Sequence, residues 1–251
     1  RSVEAVVNTH AHAENVLGNA AFADAQAIYA LRETAQAMAV RCPVCLESLT
    51  ARVGTHAMRG THTVLPTHPL APGDVLPWGR HHLHVMPLAQ GHTDADLVLW
   101  LPAQAWLWAG GLAYEGRVPE LAQGSLVAWL AALDGLVALR PRGVVSAVVS
   151  VSGAAGEVPA ALLATRGYLV ALRDRVWAAM DAGASPHDTE LLALPAYAHW
   201  AGYAARHGFN AQRAWRELEP AWMDREPAAA PAAMPGAGQR SKSGGNRSFL
   251  R

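Results

Sequence analysis

Two histidines separated by one residue follow a short apolar run near the start of the chain. Residues 3–7 are rich in valine and predict a buried strand. The strand leads into Asn8-Thr9-His10-Ala11-His12, so both imidazoles are expected on the loop that follows it. Neutral imidazole is a preferred nitrogen ligand of Zn(II), at about 2.0–2.1 Å. His10 and His12 are therefore candidates to share one metal ion, although a lone pair of this kind also occurs on solvated strands.

A third histidine stands in a similar setting further along the chain. Gly91-His92-Thr93-Asp94-Ala95-Asp96 reads as a loop just before an apolar strand. His10, His12 and His92 could form a three-histidine site with one open position for water. Asp94 is a candidate to orient a ligand histidine, and Asp96 is interpreted as structural. The alternating segment with His81, His82 and His84 is interpreted as an exposed strand rather than a second metal pair.

The remaining sequence alternates between helix-like and strand-like segments. Helical spacing or composition predicts helices over residues 20–39, 125–139, 159–182, 189–207 and 210–222. Apolar or alternating runs predict strands over residues 61–65, 80–87, 97–101, 105–109 and 143–151. This alternation predicts an α/β layered fold. Residues 1–224 are expected to form one domain, and residues 225–251, rich in Ala, Pro, Gly and Ser, a disordered low-complexity tail.

Composition and charge narrow the choice of partners. The 251 residues include 20 basic and 20 acidic side chains, a formal net charge of zero, with no dense basic patch. Nucleic acid is therefore not expected as a partner. No apolar run reaches the roughly 18 residues that a membrane span needs. The two cysteines, Cys42 and Cys45, could form a disulfide or a redox pair or remain thiols, and the sequence leaves these alternatives open.

The histidine segments resemble the metal motifs of the metallo-β-lactamase superfamily. Residues 9–15 are similar to its Thr-His-x-His-x-Asp-His motif, and Gly91-His92-Thr93 to its next metal motif. Residues 108–119 and 213–222 resemble one branch, the quinoprotein relay system zinc metallohydrolases. The resemblance runs from Val3 to Met223 and implies an αββα sandwich whose first strands are missing from this sequence. It also suggests a periplasmic location and quinoprotein pathway proteins as partners.

The chain departs from the family pattern at four positions. Glu14 stands at the motif aspartate, and Asn15 at the histidine beside it. Gly111 replaces the carboxylate that bridges two metals, and Val148 aligns with the last histidine ligand. Neither glycine nor valine has a side-chain donor atom. The resemblance thus implies at most one Zn(II), held by His10, His12 and His92, with Glu14 as the candidate catalytic base.

Two functions follow from this pattern. The first is a zinc hydrolase that splits an ester, thioester or amide bond of an unidentified small-molecule substrate with metal-bound water. The alternative is a non-catalytic scaffold or binding member of the family, associated with a quinoprotein dehydrogenase system. The three retained histidines favour the first, and the loss of the second site at Asn15, Gly111 and Val148 favours the second.

Overall fold

The computed structural model describes residues 3–146, 150–152 and 157–225. Two β-sheets lie at its centre. The smaller sheet is parallel and has the order β1-β2-β3. Its strands are β1 (Ala5–Val7), β2 (Ala27–Leu31) and β3 (His68–Leu70).

The larger sheet has six strands in sequential order, β4 to β9. All its neighbouring pairs are antiparallel except β7 and β8, which are parallel. Its strands are β4 (Val75–Trp78), β5 (His81–Ala89), β6 (Ala95–Leu101), β7 (Trp106–Gly110), β8 (Gly143–Ser146) and β9 (Ser150–Ser152).

The helices flank the two sheets. A four-residue helix and a 3₁₀ segment follow β1, and a long helix follows β2; three more helices come later in the chain. They are α1 (Ala13–Val16), 3₁₀ Leu17–Phe22, α2 (Arg32–Val53), α3 (Leu126–Ala138), α4 (Ala160–Asp181) and α5 (Tyr203–Met223), with a 3₁₀ turn at Pro195–Tyr197. None of the helices in the described ranges is long and apolar enough to cross a membrane.

Alternation along β6 shows how the layers pack. Leu97 and Leu99 are buried against Leu31 and Leu70 of the smaller sheet. Val98, which points to the opposite face, is buried in the main core with α3, α4 and α5. Helix α2 contacts β2 and β3. The result is a helix–sheet–sheet–helix sandwich, in agreement with the predicted α/β layered architecture.

Four of the predicted elements differ from the structure. The strand predicted over residues 143–151 is divided into β8 and β9, which pair antiparallel. Residues 27–31 of the predicted helix 20–39 form β2, because burial between β1 and β3 outweighs the helical preference of alanine. Residues 61–65 have no strand, and the nearest strand begins at His68. The predicted helix 189–207 contains only the 3₁₀ turn before α5, since Pro195 and the left-handed Gly202 (φ 77°) interrupt it. The predicted tail from residue 226 onward, and Val148, lie outside the described residues.

Candidate metal centre

The first two histidines are placed by the end of β1. His10 is buried in the loop after the strand, and His12 is the residue that precedes α1. His92 is buried in the loop between β5 and β6. The backbone N–H of Leu97 on β6 donates to the carbonyl of Thr9 at 2.9 Å, and this bond links the first histidine loop to the strand that follows the His92 loop.

The three imidazoles converge on one point. Their ring centroids are 5.1 Å apart for His10 and His12, 5.1 Å for His10 and His92, and 4.5 Å for His12 and His92. Nε2 of His92 lies 2.9 Å from Nδ1 of His12. One nitrogen from each ring can be chosen so that all three lie within 4.8 Å of one another. Within the described ranges, no other group of histidine, cysteine and acidic side chains converges in this way.

Hydrogen bonds on the far side of the rings select which nitrogen faces the centre. Nδ1–H of His92 donates to the carbonyl of Glu120 at 2.8 Å, which leaves the lone pair of Nε2 free to face His12. Nε2 of His10 lies 3.0 Å from the Asn15 amide nitrogen, so Asn15 would have to move away for this nitrogen to bind an ion, and Nδ1 of His10 lies 3.0 Å from the hydroxyl oxygen of Thr9. Partners of this kind fix the tautomer and the orientation of a ligand histidine.

Burial keeps two of the imidazoles neutral. Loss of solvation, followed by repulsion from His12, lowers the pKa of His10 to about 3. Burial is also the main reason why the pKa of His92 lies well below its usual range, with smaller contributions from His10 and His12. The neutral ring is the form that binds a metal ion, so the site needs no deprotonation of these two ligands at neutral pH.

Comparison with solved structures identifies the architecture. A metallo-β-lactamase family protein from Thermus thermophilus superimposes with a TM-score of 0.61 at 19% identity, over 87% of this chain and 75% of that one. The chain has the metallo-β-lactamase fold. A stereoselective inverting sec-alkylsulfatase from a Pseudomonas species also superimposes with a TM-score of 0.61, at 16% identity, over 90% of this chain and 44% of that one. No family model and no curated protein matches the sequence.

The prediction that Asp94 orients a ligand histidine is wrong. This side chain is exposed and forms an ion pair with Arg41 of α2, so it does not orient any of the three histidines. Asp96 is the carboxylate that organises the His92 loop. It is buried, and it accepts hydrogen bonds from the backbone N–H and the hydroxyl of Thr93 at 3.0 and 2.9 Å. Burial raises the pKa of Asp96 to about 6, against these hydrogen bonds, which lower it.

Asp96→Ala is expected to destabilise the fold by about 1–3 kcal/mol, because the backbone N–H of Thr93 would be left buried and unpaired. Asp94→Ala is the matched control, since an exposed ion pair contributes about 0–1 kcal/mol. Urea unfolding of both variants measures the difference. Equal losses in the two variants would contradict the structural role given to Asp96.

Gly111 lies directly against a metal-ligand candidate. A Cβ atom placed on Gly111 would stand 2.2 Å from Cδ2 and 2.8 Å from Nε2 of His92. Gly111 is therefore next to the histidine cluster, and its equivalence to a bridging carboxylate stays a prediction. No carboxylate of the described chain joins the three histidines. Glu14 is exposed in the first turn of α1, outside the group of converging ligand atoms, and its role as a base stays a prediction.

Tyr114 is a site residue that the sequence reasoning missed. Its hydroxyl lies 3.5 Å from Nε2 of His92, and its ring packs beside His92 and Trp129. Burial raises the pKa of Tyr114 far above its usual range, so the phenol keeps its proton at neutral pH. Tyr114 falls within residues 108–119, whose only signal in the sequence is their resemblance to one branch of the family. No spacing pattern in the sequence links Tyr114 to His92.

The other histidines and the two cysteines lie apart from this centre. His82 and His84 are exposed on β5, as expected for a solvent-facing strand, and His81 contacts Gln104. Cys42 and Cys45 both lie in α2 and are not bridged. Burial, together with the neighbouring Cys45, raises the pKa of the Cys42 thiol.

Proposed function

We propose that this chain is a hydrolase that binds one Zn(II) through His10, His12 and His92 and splits an ester, thioester or amide bond. The observation that carries the proposal is the convergence of three ring nitrogens from two loops, within 4.8 Å of one another. Two of these rings are kept neutral by burial.

The donor set fits zinc. Ligand nitrogens at about 2.0–2.1 Å from one tetrahedral ion lie about 3.4 Å apart, so ligand atoms that now lie up to 4.8 Å apart would need to close by up to about 1.4 Å, and the 2.9 Å pair of His92 and His12 would open slightly. Three neutral imidazoles with an open fourth position are typical of catalytic rather than structural zinc sites. The hydrogen bonds of His92 to Glu120 and of His10 to Thr9 would hold two of the rings in place.

Side chains around the cluster could serve the reaction. When bound, Zn(II) would act as a Lewis acid toward the scissile carbonyl and lower the pKa of a water molecule to about 7. The phenol of Tyr114, protonated and close to His92, can donate a hydrogen bond to the carbonyl oxygen as it gains negative charge. The Asn15 amide, beside His10, is a second donor, and the carboxylate of Glu14 is the proposed acceptor of the proton from water.

The test of this function is turnover of the zinc-loaded protein. p-Nitrophenyl acetate, a thioester and an anilide would be assayed with wild type, His12→Ala and His82→Ala. We expect turnover of at least one substrate by wild type and by His82→Ala, whose histidine is exposed and distant from the cluster. Turnover should disappear in His12→Ala and after chelation. Turnover that survives both treatments would show that the cluster is not the catalytic centre.

Tyr114→Phe is expected to lower kcat by about 100-fold, because removal of one oxyanion donor typically costs two to three orders of magnitude. Zinc affinity should stay near that of wild type, since the phenol is not a proposed ligand. Tyr29→Phe on β2 is the control, because its ring packs against His68 and not against the cluster. A kcat for Tyr114→Phe equal to that of the control would remove Tyr114 from the mechanism.

The non-catalytic alternative has one observation in its favour. Gly111 stands beside His92 where the family carries a bridging carboxylate, so nothing at that position can hold a second ion. Zinc binding without turnover of any substrate in the assay would support a scaffold role, in which association with a quinoprotein dehydrogenase system is the predicted setting.

A further inference from the structure

The orientation of His92 depends on a loop carbonyl. Nδ1–H of His92 donates to the Glu120 carbonyl at 2.8 Å, and this bond determines which nitrogen faces the cluster. Glu120 belongs to the irregular connection between β7 and α3 and lies in neither a helix nor a strand. Some other part of the molecule must therefore hold this carbonyl in place.

Asn210 on α5 holds the peptide groups on both sides of Glu120. Its side-chain Nδ2 donates to the carbonyl of Pro119 at 2.7 Å, and its Oδ1 accepts from the N–H of Leu121 at 3.0 Å. Asn210 is only 1% exposed, and Nδ2 also donates to the hydroxyl of Tyr168 on α4. The Asn210 amide is thus hydrogen-bonded to Pro119 and Leu121, the residues on either side of Glu120, whose carbonyl accepts the His92 proton.

Other residues of α5 support the same connection. The Arg213 guanidinium donates to the carbonyl of Gly124 at 2.8 Å, and the Glu217 carboxylate accepts from the N–H of Leu126 at 2.7 Å. Gly124 itself lies against the backbone of the His92 loop, since a Cβ there would stand 2.2 Å from the carbonyl oxygen of Gly91. Helix α5 is therefore hydrogen-bonded at several points to the segment that runs from Pro119 to Leu126 and contacts the His92 loop.

We propose that Asn210 is a positioning residue for the metal centre. By fixing the Glu120 carbonyl, it holds His92 in the Nδ1–H tautomer with Nε2 aimed at His12. The ligand role of His92 rests on the proposed function, whereas its tautomer and orientation do not. Outer partners of ligand histidines typically contribute 10–100-fold to metal affinity. A residue 118 positions away in sequence, on the last described helix, would in this way tune the zinc site.

The experiment compares Asn210→Ala and Asn210→Asp with Leu218→Ala. Leu218 is also buried on α5 but contributes apolar packing rather than a bond to the connection, so its variant controls for general loss of stability. Zinc affinity is measured by competition with a chromogenic chelator. We expect both Asn210 variants to lose about 10–100-fold in zinc affinity and Leu218→Ala to stay near wild type.

A second measurement needs no metal. The ¹⁵N chemical shifts of the His92 ring in the metal-free protein report its tautomer, which should be Nδ1–H in wild type and in Leu218→Ala. Asn210→Asp, which keeps the acceptor for Leu121 but loses the donor to Pro119, should show a mixture, as should Asn210→Ala. Unchanged tautomer and affinity in the Asn210 variants would overturn the proposal, as would equal losses in Leu218→Ala. A wild-type protein that binds no zinc would refute the proposed function, and the tautomer measurement would still test Asn210.

Discussion

His92→Ala is expected to weaken zinc binding by more than about 100-fold. Structural zinc sites with four ligands bind with about 10–16 kcal/mol, so one ligand corresponds to about 3 kcal/mol, or roughly 100-fold. His92 also lies at the middle of the cluster, because its Nε2 is 2.9 Å from Nδ1 of His12 and its ring centroid is 5.1 Å from that of His10. Isothermal titration with Zn(II) measures the loss.

His84→Ala is the matched control for this variant. His84 is exposed on β5 and forms no part of the converging group, so its removal should leave zinc affinity unchanged. Similar affinities for His92→Ala and wild type would mean that zinc binds elsewhere. Equal losses in His92→Ala and His84→Ala would indicate a general effect of histidine removal rather than loss of a ligand.

Gly111→Ala is expected to lower zinc affinity by roughly 10–100-fold, the range typical of disturbing the groups that orient a ligand. The added methyl carbon would stand 2.2 Å from Cδ2 of His92, and the ring is confined by Glu120 and Trp129. Gly111→Asp carries the same Cβ atom. A carboxylate introduced at this position alone is therefore expected to displace the three-histidine site rather than to create a second one.

Gly135→Ala provides the control, because a Cβ at this position in α3 meets nothing within 4 Å. Zinc titration of all three glycine variants gives the comparison. A Gly111→Asp protein that binds two zinc ions with undiminished affinity would show that the His92 ring can move aside at little cost, and that only the carboxylate was lacking.

Features that lie within a short stretch of sequence could be predicted from local patterns. Two histidines after a short strand, and a third before an apolar strand, made these side chains candidates, and the resemblance of the flanking residues to the metallo-β-lactamase motifs favoured them. The helix predicted over residues 125–139 corresponds to α3. The strands predicted over residues 97–101 and 105–109 correspond to β6 and β7.

Contacts between segments that are distant in sequence could not be recognised from any local sequence pattern. Strand β2 is alanine-rich and resembles a helix until its burial between two partner strands is known. Tyr114 meets His92 only because β7 ends beside the loop after β5. Asn210 reaches the Glu120 connection across 91 and 89 residues of chain. Such residues are selected by the packing of the whole sandwich, so no short window of sequence reveals them.

The zinc content of the purified, fully metallated protein tests the central claim most directly. After exposure to excess Zn(II) and removal of weakly bound ions, elemental analysis should give one zinc per wild-type chain and none in a His10→Ala, His12→Ala double variant. X-ray absorption at the zinc edge should show nitrogen ligands at about 2.0–2.1 Å. A wild-type chain that retains no zinc, or two zinc ions, or one that survives the double substitution, would contradict a single three-histidine site.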